Sequence, residues 1–227
     1  MEKIPCDKLF INYIPYPWPH RIARDYFLTH PEYTHLMIIP NDLIVTLKDY
    51  RKMVRNIDNY PMIDVICGVC NVDTEQEKDY WAICQNLPAL GSMDYQWYPS
   101  KIKEYLQGAI IRVPFAGMPF MCMARHVIEG LTRNEARPGY DGTELFGKDG
   151  FATDVHLCHN LWNNHIPIYC DTSIEMLHLR YKYDMLVGKK DPNCELHTPS
   201  QVLNVTDECF KLVNVTKDQI RQRCKSL

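Results

Sequence analysis

The chain has 227 residues, enough for one sizeable hydrophobic core. Hydrophobic residues make up 46% and charged residues 23%, as in ordinary soluble globular proteins, and the formal net charge is -3. That charge gives no electrostatic reason for a nucleic-acid partner, and no apolar run reaches membrane-spanning length.

Met1 to Pro5 does not read as the start of a signal peptide, so a cytoplasmic location is expected. The 10 cysteines have irregular spacing, and reduced, mostly buried thiols fit that expectation. No glycine precedes Gly68, so the amino-terminal region holds no P-loop and no Gly-x-Gly fingerprint.

Taken in order, Lys8–Ile14 reads as a strand, followed by the proline-punctuated loop 15–19. Pro19 suits the first position of a helix running to about His30, with Ile22, Ala23, Tyr26 and Phe27 on one face. His35–Ile39 is a short apolar run that reads as a strand buried on both faces in the interior of a parallel sheet. It ends at Pro40-Asn41-Asp42, which puts a carboxylate at the strand's carboxyl end, where open α/β sheets bind ligands. The same tripeptide is also ordinary turn chemistry.

Thr46 and Asp49 form a capping-box pattern, with Leu47, Tyr50, Met53, Val54 and Ile57 following at helical spacing. Met62–Val69 is a second apolar strand, and residues 71–108 read as irregular and aromatic-rich. Aromatics such as Trp81, Tyr95 and Trp97 suit either sugar stacking or pinning a loop to the core. Ala109–Val113 and Phe120–Met123 read as strands, with a short helix near Arg125 and a glycine-rich loop over 133–150. A helix beginning near Thr153 places Val155, Cys158, Leu161 and Trp162 on one face and Asp154 in its first turn. Strands at Ile166–Cys170 and Ile174–Leu179 follow, and a polar extension occupies 181–227.

Four stretches of this chain resemble the GT-A fold nucleotide-sugar glycosyltransferases, nearest the family-2-like inverting group. Ala23-Arg24-Asp25 resembles that family's A-R-N helix start, and Asp42 falls at the last position of its D-x-D motif. Phe115–Arg125 is similar to the acceptor-side segment. The stretch Thr153 to Cys158, with the later His178, resembles the E-D-x-x-x-C helix and metal-binding histidine. The resemblance implies a single Rossmann-like GT-A domain over 1–180, with a mainly parallel central sheet and helices on both faces.

It also implies metal-dependent transfer of a sugar from a nucleotide-sugar donor, a UDP-sugar favoured, to a hydroxyl acceptor such as a glycan, with inversion. Asp42 and His178 would hold Mn2+ (or Mg2+), an oxygen and a nitrogen donor together suiting Mn2+ better than Ca2+. Asp154 would be the general base. Arg24, Asn41, Tyr13 and Tyr16 would face the donor, and Gly117 and Met118 the acceptor. Two departures stand out: Pro40 replaces the first Asp of D-x-D, and only 41 residues precede Asp42, too few for the family's opening βαβαβ unit. They keep open a non-catalytic carbohydrate-binding or scaffold domain with a degenerate transferase fold.

Two other site types find little support in the residues. A zinc site would use Cys67, Cys70 and histidines 156, 159 and 165, but a spacing of three in a strand points Cys67 and Cys70 to opposite faces. A sugar nucleotidyltransferase would carry an early glycine-rich phosphate loop, which the stretch before Gly68 lacks.

Overall fold

The computed structural model describes residues 7–9, 18–40, 43–72, 79–92, 94–135, 146, 153–178, 183–184, 189–190 and 211–213. In chain order these form β1 (Asp7–Leu9), α1 (Trp18–Leu28), β2 (His35–Ile38), β3 (Leu43–Ile44), α2 (Leu47–Asn59), β4 (Val65–Cys70), β5 (Tyr80–Cys84) and β6 (Trp97–Pro99). A 3-10 turn (Ser100–Ile102), α3 (Lys103–Leu106), β7 (Ile110–Val113), β8 (Phe115–Ala116), β9 (Met121–Ala124) and α4 (Arg125–Glu135) come next. The chain continues with α5 (Thr153–Asn163), β10 (Ile168–His178), β11 (Tyr183–Asp184), β12 (Lys189–Lys190) and β13 (Lys211–Val213).

The architecture is mixed α/β. A 6-stranded sheet runs β2-β9-β4-β10-β3, with β7 also paired to β10. Only β4 and β10 are parallel in it; β2–β9, β9–β4, β10–β3 and β10–β7 are antiparallel. The expectation of a mainly parallel sheet is therefore corrected. An apolar run reports burial on both faces, and antiparallel strands between two helical layers meet that condition equally well. All four residues of β9 are buried, yet it runs antiparallel to both neighbours.

The position of β2 is corrected too. Among the described residues β9 is its one partner, so β2 lies at the end of the strand order, and only Ile38 is fully buried. Residues 71–108 are likewise more regular than expected. Strands β5 and β6 lie there, and β5 joins β6 and β8 in a 3-stranded sheet. The two strands expected over 166–179 are one long strand, β10, whose pairing with β4 shifts register between Cys170 and Glu175.

Side chains alternate across the main sheet and feed two clusters. Val65, Cys67 and Val69 of β4 pack with Met121 and Met123 of β9, Val127 and Ile128 of α4, and Val155, Leu157, Cys158 and Leu161 of α5. Ile66 and Cys70 point the other way, to Cys122, Ile174 and the Tyr50 and Met53 face of α2. Helices thus cover both faces, as expected, and Cys67 and Cys70 fall in different clusters, which argues against a shared chelate. Trp162, expected on the buried face of α5, is 52% exposed.

Local chemistry explains how the helices start and stop. Thr46 Oγ1 accepts from Asp49 N at 3.2 Å, and Asp49 Oδ2 accepts from Thr46 N at 3.2 Å, closing the capping box before α2. The carboxyl end of α1 is closed from afar by Arg125. Its guanidinium donates to the carbonyls of Tyr33 (2.6 Å), Phe27 (2.8 Å) and His30, and lies 4.4 Å from the Phe27 ring centre. The Phe27 carbonyl belongs to the last turn of α1 and those of His30 and Tyr33 to the segment after it, and the first two also accept from the His30 and Tyr33 backbone N–H groups at 3.2 Å.

Gly68 marks the tightest approach in the sheet. A methyl group there would lie 2.7 Å from the Ile174 carbonyl oxygen and 2.8 Å from Ile174 Cγ2. The glycine lets β4 lie against the irregular part of β10. Of the expected extension over 181–227, β11, β12 and β13 are described: β11 pairs with β12 antiparallel, and β13 pairs in parallel with β1. No described helix is long and apolar enough to cross a membrane.

Candidate functional site

The site is assembled on the α5 face of the sheet, around the start of α5 and the turn after β8. Thr153 opens α5, so Asp154 sits in the first helical turn, where the helix dipole favours a carboxylate. The rest of that face anchors the helix: Val155, Leu157, Cys158 and Leu161 are at most 1% exposed. The Cys158 thiol donates to the Ala116 carbonyl at 3.4 Å, which ties α5 to β8 one turn below Asp154. Burial pushes that thiol well above its ordinary range, so it stays protonated and serves as a donor.

Gly117 follows β8 directly. A methyl group built on it would lie 3.6 Å from Asp154 Oδ2 and 3.4 Å from the Ala82 carbonyl oxygen. The glycine thus brings the backbone of this turn close to the Asp154 carboxylate. Two of the next three residues are also conformationally marked. Met118 (φ 53°) and Phe120 (φ 41°) occupy the left-handed region on either side of Pro119. Such backbone is costly for side-chain-bearing residues, about 1–3 kcal/mol each, and tends to gather at functional turns. Met118 is 6% exposed, so its side chain belongs to the core rather than to an open acceptor surface.

Burial raises the Asp154 pKa above 3.8, opposed by hydrogen bonds from backbone N–H groups, including that of Val155 at 2.9 Å. A carboxylate that is desolvated but still ionisable is a stronger base than one in water. Tyr95 lies within its field. Burial first, and then the Asp154 charge, push the Tyr95 phenol above 10.0. The Tyr95 and Trp97 rings stack at 4.7 Å, 2° from parallel, and both meet the Phe115 ring edge-on at 5.7 and 6.0 Å. The half-buried Tyr95–Trp97 pair thus joins the core through Phe115, and the Tyr95 phenol feels the Asp154 charge. Sequence reasoning noted these aromatics but had no signal linking them to Asp154.

The second part of the expected site lies where β3 meets β10. Leu43 pairs with His178, and Ile44 with Leu177, in an antiparallel register. Asp42 immediately precedes Leu43, so the fold brings the backbone at His178 beside the residue that follows Asp42. Asp42 itself, Asn41, Tyr13 and Tyr16 lie outside the described residues. Arg24 is on α1, its side chain 12% exposed, and its Nε donates to Asp25 at 2.9 Å, so a donor contact would compete with that ion pair. Among the described residues no group of three or more His, Cys, Asp or Glu is arranged to hold a metal ion.

No protein-family model and no curated protein matches the chain. Among solved structures the chain is similar to A197 from STIV, at 17% sequence identity and a TM-score of 0.39. The match covers 68% of this chain and 62% of that one, so it spans less than two thirds of that protein's length.

Proposed function

We propose that the protein is a metal-dependent glycosyltransferase of GT-A type that moves a sugar from a nucleotide-sugar donor to a hydroxyl acceptor with inversion. The observation that carries this reading is the approach of Gly117 to Asp154. A methyl group at Gly117 would lie 3.6 Å from the half-buried carboxylate, whose charge acts on the Tyr95 phenol of the Tyr95–Trp97 stack. In this reading that grouping gives an acceptor sugar the half-buried Tyr95–Trp97 pair, the Gly117 backbone and a base.

In this reading Asp154 takes the proton from the acceptor hydroxyl as its oxygen attacks the anomeric carbon. The bond from that carbon to the nucleotide diphosphate breaks, and the diphosphate leaves with the electron pair. Asp42 and His178 would hold a divalent ion against the diphosphate. The ion would neutralise charge on the leaving group, a carboxylate and an imidazole being donors that suit Mn2+. The pairing of Leu43 with His178 supports this placement, since it draws the two donor-bearing segments to one sheet edge. Arg24 and Asn41 would contact the donor, with Tyr13 and Tyr16 beside its base, and a UDP-sugar is the favoured donor.

The test is a panel of nucleotide sugars read by thermal shift with and without Mn2+, followed by donor hydrolysis for each ligand found. The reading expects one donor to raise Tm only when Mn2+ is present, and to be hydrolysed slowly. Equal shifts with and without the metal, or none across the panel, would remove it.

A further inference from the structure

A cleft lies across the sheet from Asp154, between α2 and the irregular stretch of β10, with a volume of about 680 Å³. Lys52, Arg55, Asn56 and Asn59 of α2 line one wall. They stand at i, i+3, i+4 and i+7, so they share one stripe of the helix, and here that stripe faces a concave surface. Tyr60, at the carboxyl cap of α2, forms part of the rim and is 42% exposed.

The floor holds a buried carboxylate, Asp171, which is 4% exposed. It accepts from Asn56 Nδ2 at 2.6 Å and from the Ser173 backbone N–H at 2.8 Å. A carboxylate has about four acceptor positions, so these two bonds leave capacity for a hydroxyl donor. Lys52 is anchored by donating to the Ser173 carbonyl. Arg55 is exposed and has no hydrogen bond or ion pair among the described residues. The cleft therefore has one more cation than anion, neutral amides, an acceptor in its floor and an aromatic face at its lip.

We propose that this cleft binds a pyranose carrying one anionic group, a phosphate or a carboxylate. Arg55 takes the anion through its planar fork, Asn59 and Asp171 meet ring hydroxyls, and the Tyr60 ring covers one sugar face. Neither a bare anion nor a neutral sugar would use both halves of the cleft. The proposal rests on no part of the transferase reading, because none of these residues lies on the Asp154 side of the sheet.

Calorimetric titration of the full chain in EDTA tests it, using glucose 6-phosphate, a glucuronic-acid-terminated disaccharide, glucose and inorganic phosphate as probes. Glucose 6-phosphate or the disaccharide is expected to bind about tenfold or more tightly than glucose or phosphate, and the tighter of the two identifies a free sugar phosphate or a glycan end as the source. Arg55→Ala and Asn59→Ala change exposed residues and should each weaken that binding by about tenfold, while Asp154→Asn leaves it unchanged. Phosphate binding as tightly as glucose 6-phosphate would overturn the proposal, as would no binding at roughly 10 mM. So would a loss in Asp154→Asn that Arg55→Ala does not share.

Discussion

Leu43 and His178 lie opposite each other across the antiparallel β3–β10 pair, although they come from distant parts of the chain. Because Asp42 is bonded to Leu43, the pairing gives a direct test of the proposed metal site. Asp42→Ala and His178→Ala should each abolish Mn2+-dependent nucleotide-sugar binding and leave Tm without ligand within a few degrees. A variant that binds donor and metal as the wild type does would remove its residue from the site.

Arg125 is at the Arg position of the segment that resembles the acceptor side, but its guanidinium closes the end of α1. Arg125→Lys keeps the charge and loses the planar fork; the Phe27 and His30 carbonyls keep their backbone donors, the Tyr33 carbonyl loses its side-chain donor, and stability should fall by about 1–2 kcal/mol. Urea unfolding measures this. An unchanged midpoint would mean that the three carbonyl contacts contribute little.

His20, 7% exposed and 5.1 Å from the Phe146 ring centre, has its pKa lowered from 6.5 to about 4 by burial. The sign follows from linkage. With the folded pKa depressed, stability is fully present above pH 6.5 and is lost as pH falls from 6.5 toward about 4. The full loss is roughly 3 kcal/mol. Unfolding followed between pH 7 and 4 should show that slope in the wild type, and His20→Phe should flatten it. Parallel slopes in the two proteins would contradict the assignment.

Gly68 supplies a stability prediction independent of function. Gly68→Ala would press a methyl against the Ile174 carbonyl at 2.7 Å, and backbone cannot swing aside as a flexible side chain can. The variant should lose roughly 1–3 kcal/mol, read as a lower Tm. A Tm at or above the wild-type value would show that β10 adjusts freely.

What was legible in the sequence was mostly local. The capping box at Thr46 and Asp49, the helix carrying Asp154, and β7 and β9 depend on neighbours a few residues away, and each appears within a few residues of its expected bounds. Strand direction was not legible. The apolar run at His35–Ile38 carries no mark of direction, only Ile38 of it is buried, and its partner Met121–Ala124 is equally apolar. Strand β5 was missed because Trp81, Ile83 and Cys84 break simple alternation, and what buries them is a small sheet formed with β6 and β8. At the site, Asp154 and Gly117 were identified through the resemblance. The stack of Tyr95 on Trp97 depends on a loop closing back over Phe115, which leaves no periodic trace.

The base assignment carries a pH signature. Burial raises the Asp154 pKa above 3.8, so the acid limb of kcat/KM should lie above the range of an exposed aspartate, with activity lost as pH falls through the raised value. Ionising this buried group also costs stability as pH rises through the same value, so Asp154→Asn should be at least as stable as the wild type at pH 7.

The most direct measurement is turnover of Asp154→Asn with the donor and acceptor that the wild type uses, together with the anomeric configuration of the wild-type product. The substitution keeps the shape and removes the basicity. Turnover should fall by roughly 10²–10⁴-fold while Mn2+-dependent donor binding is retained, and the wild-type product should be inverted. Near-normal turnover in Asp154→Asn, or a wild-type product of retained configuration, would contradict the mechanism.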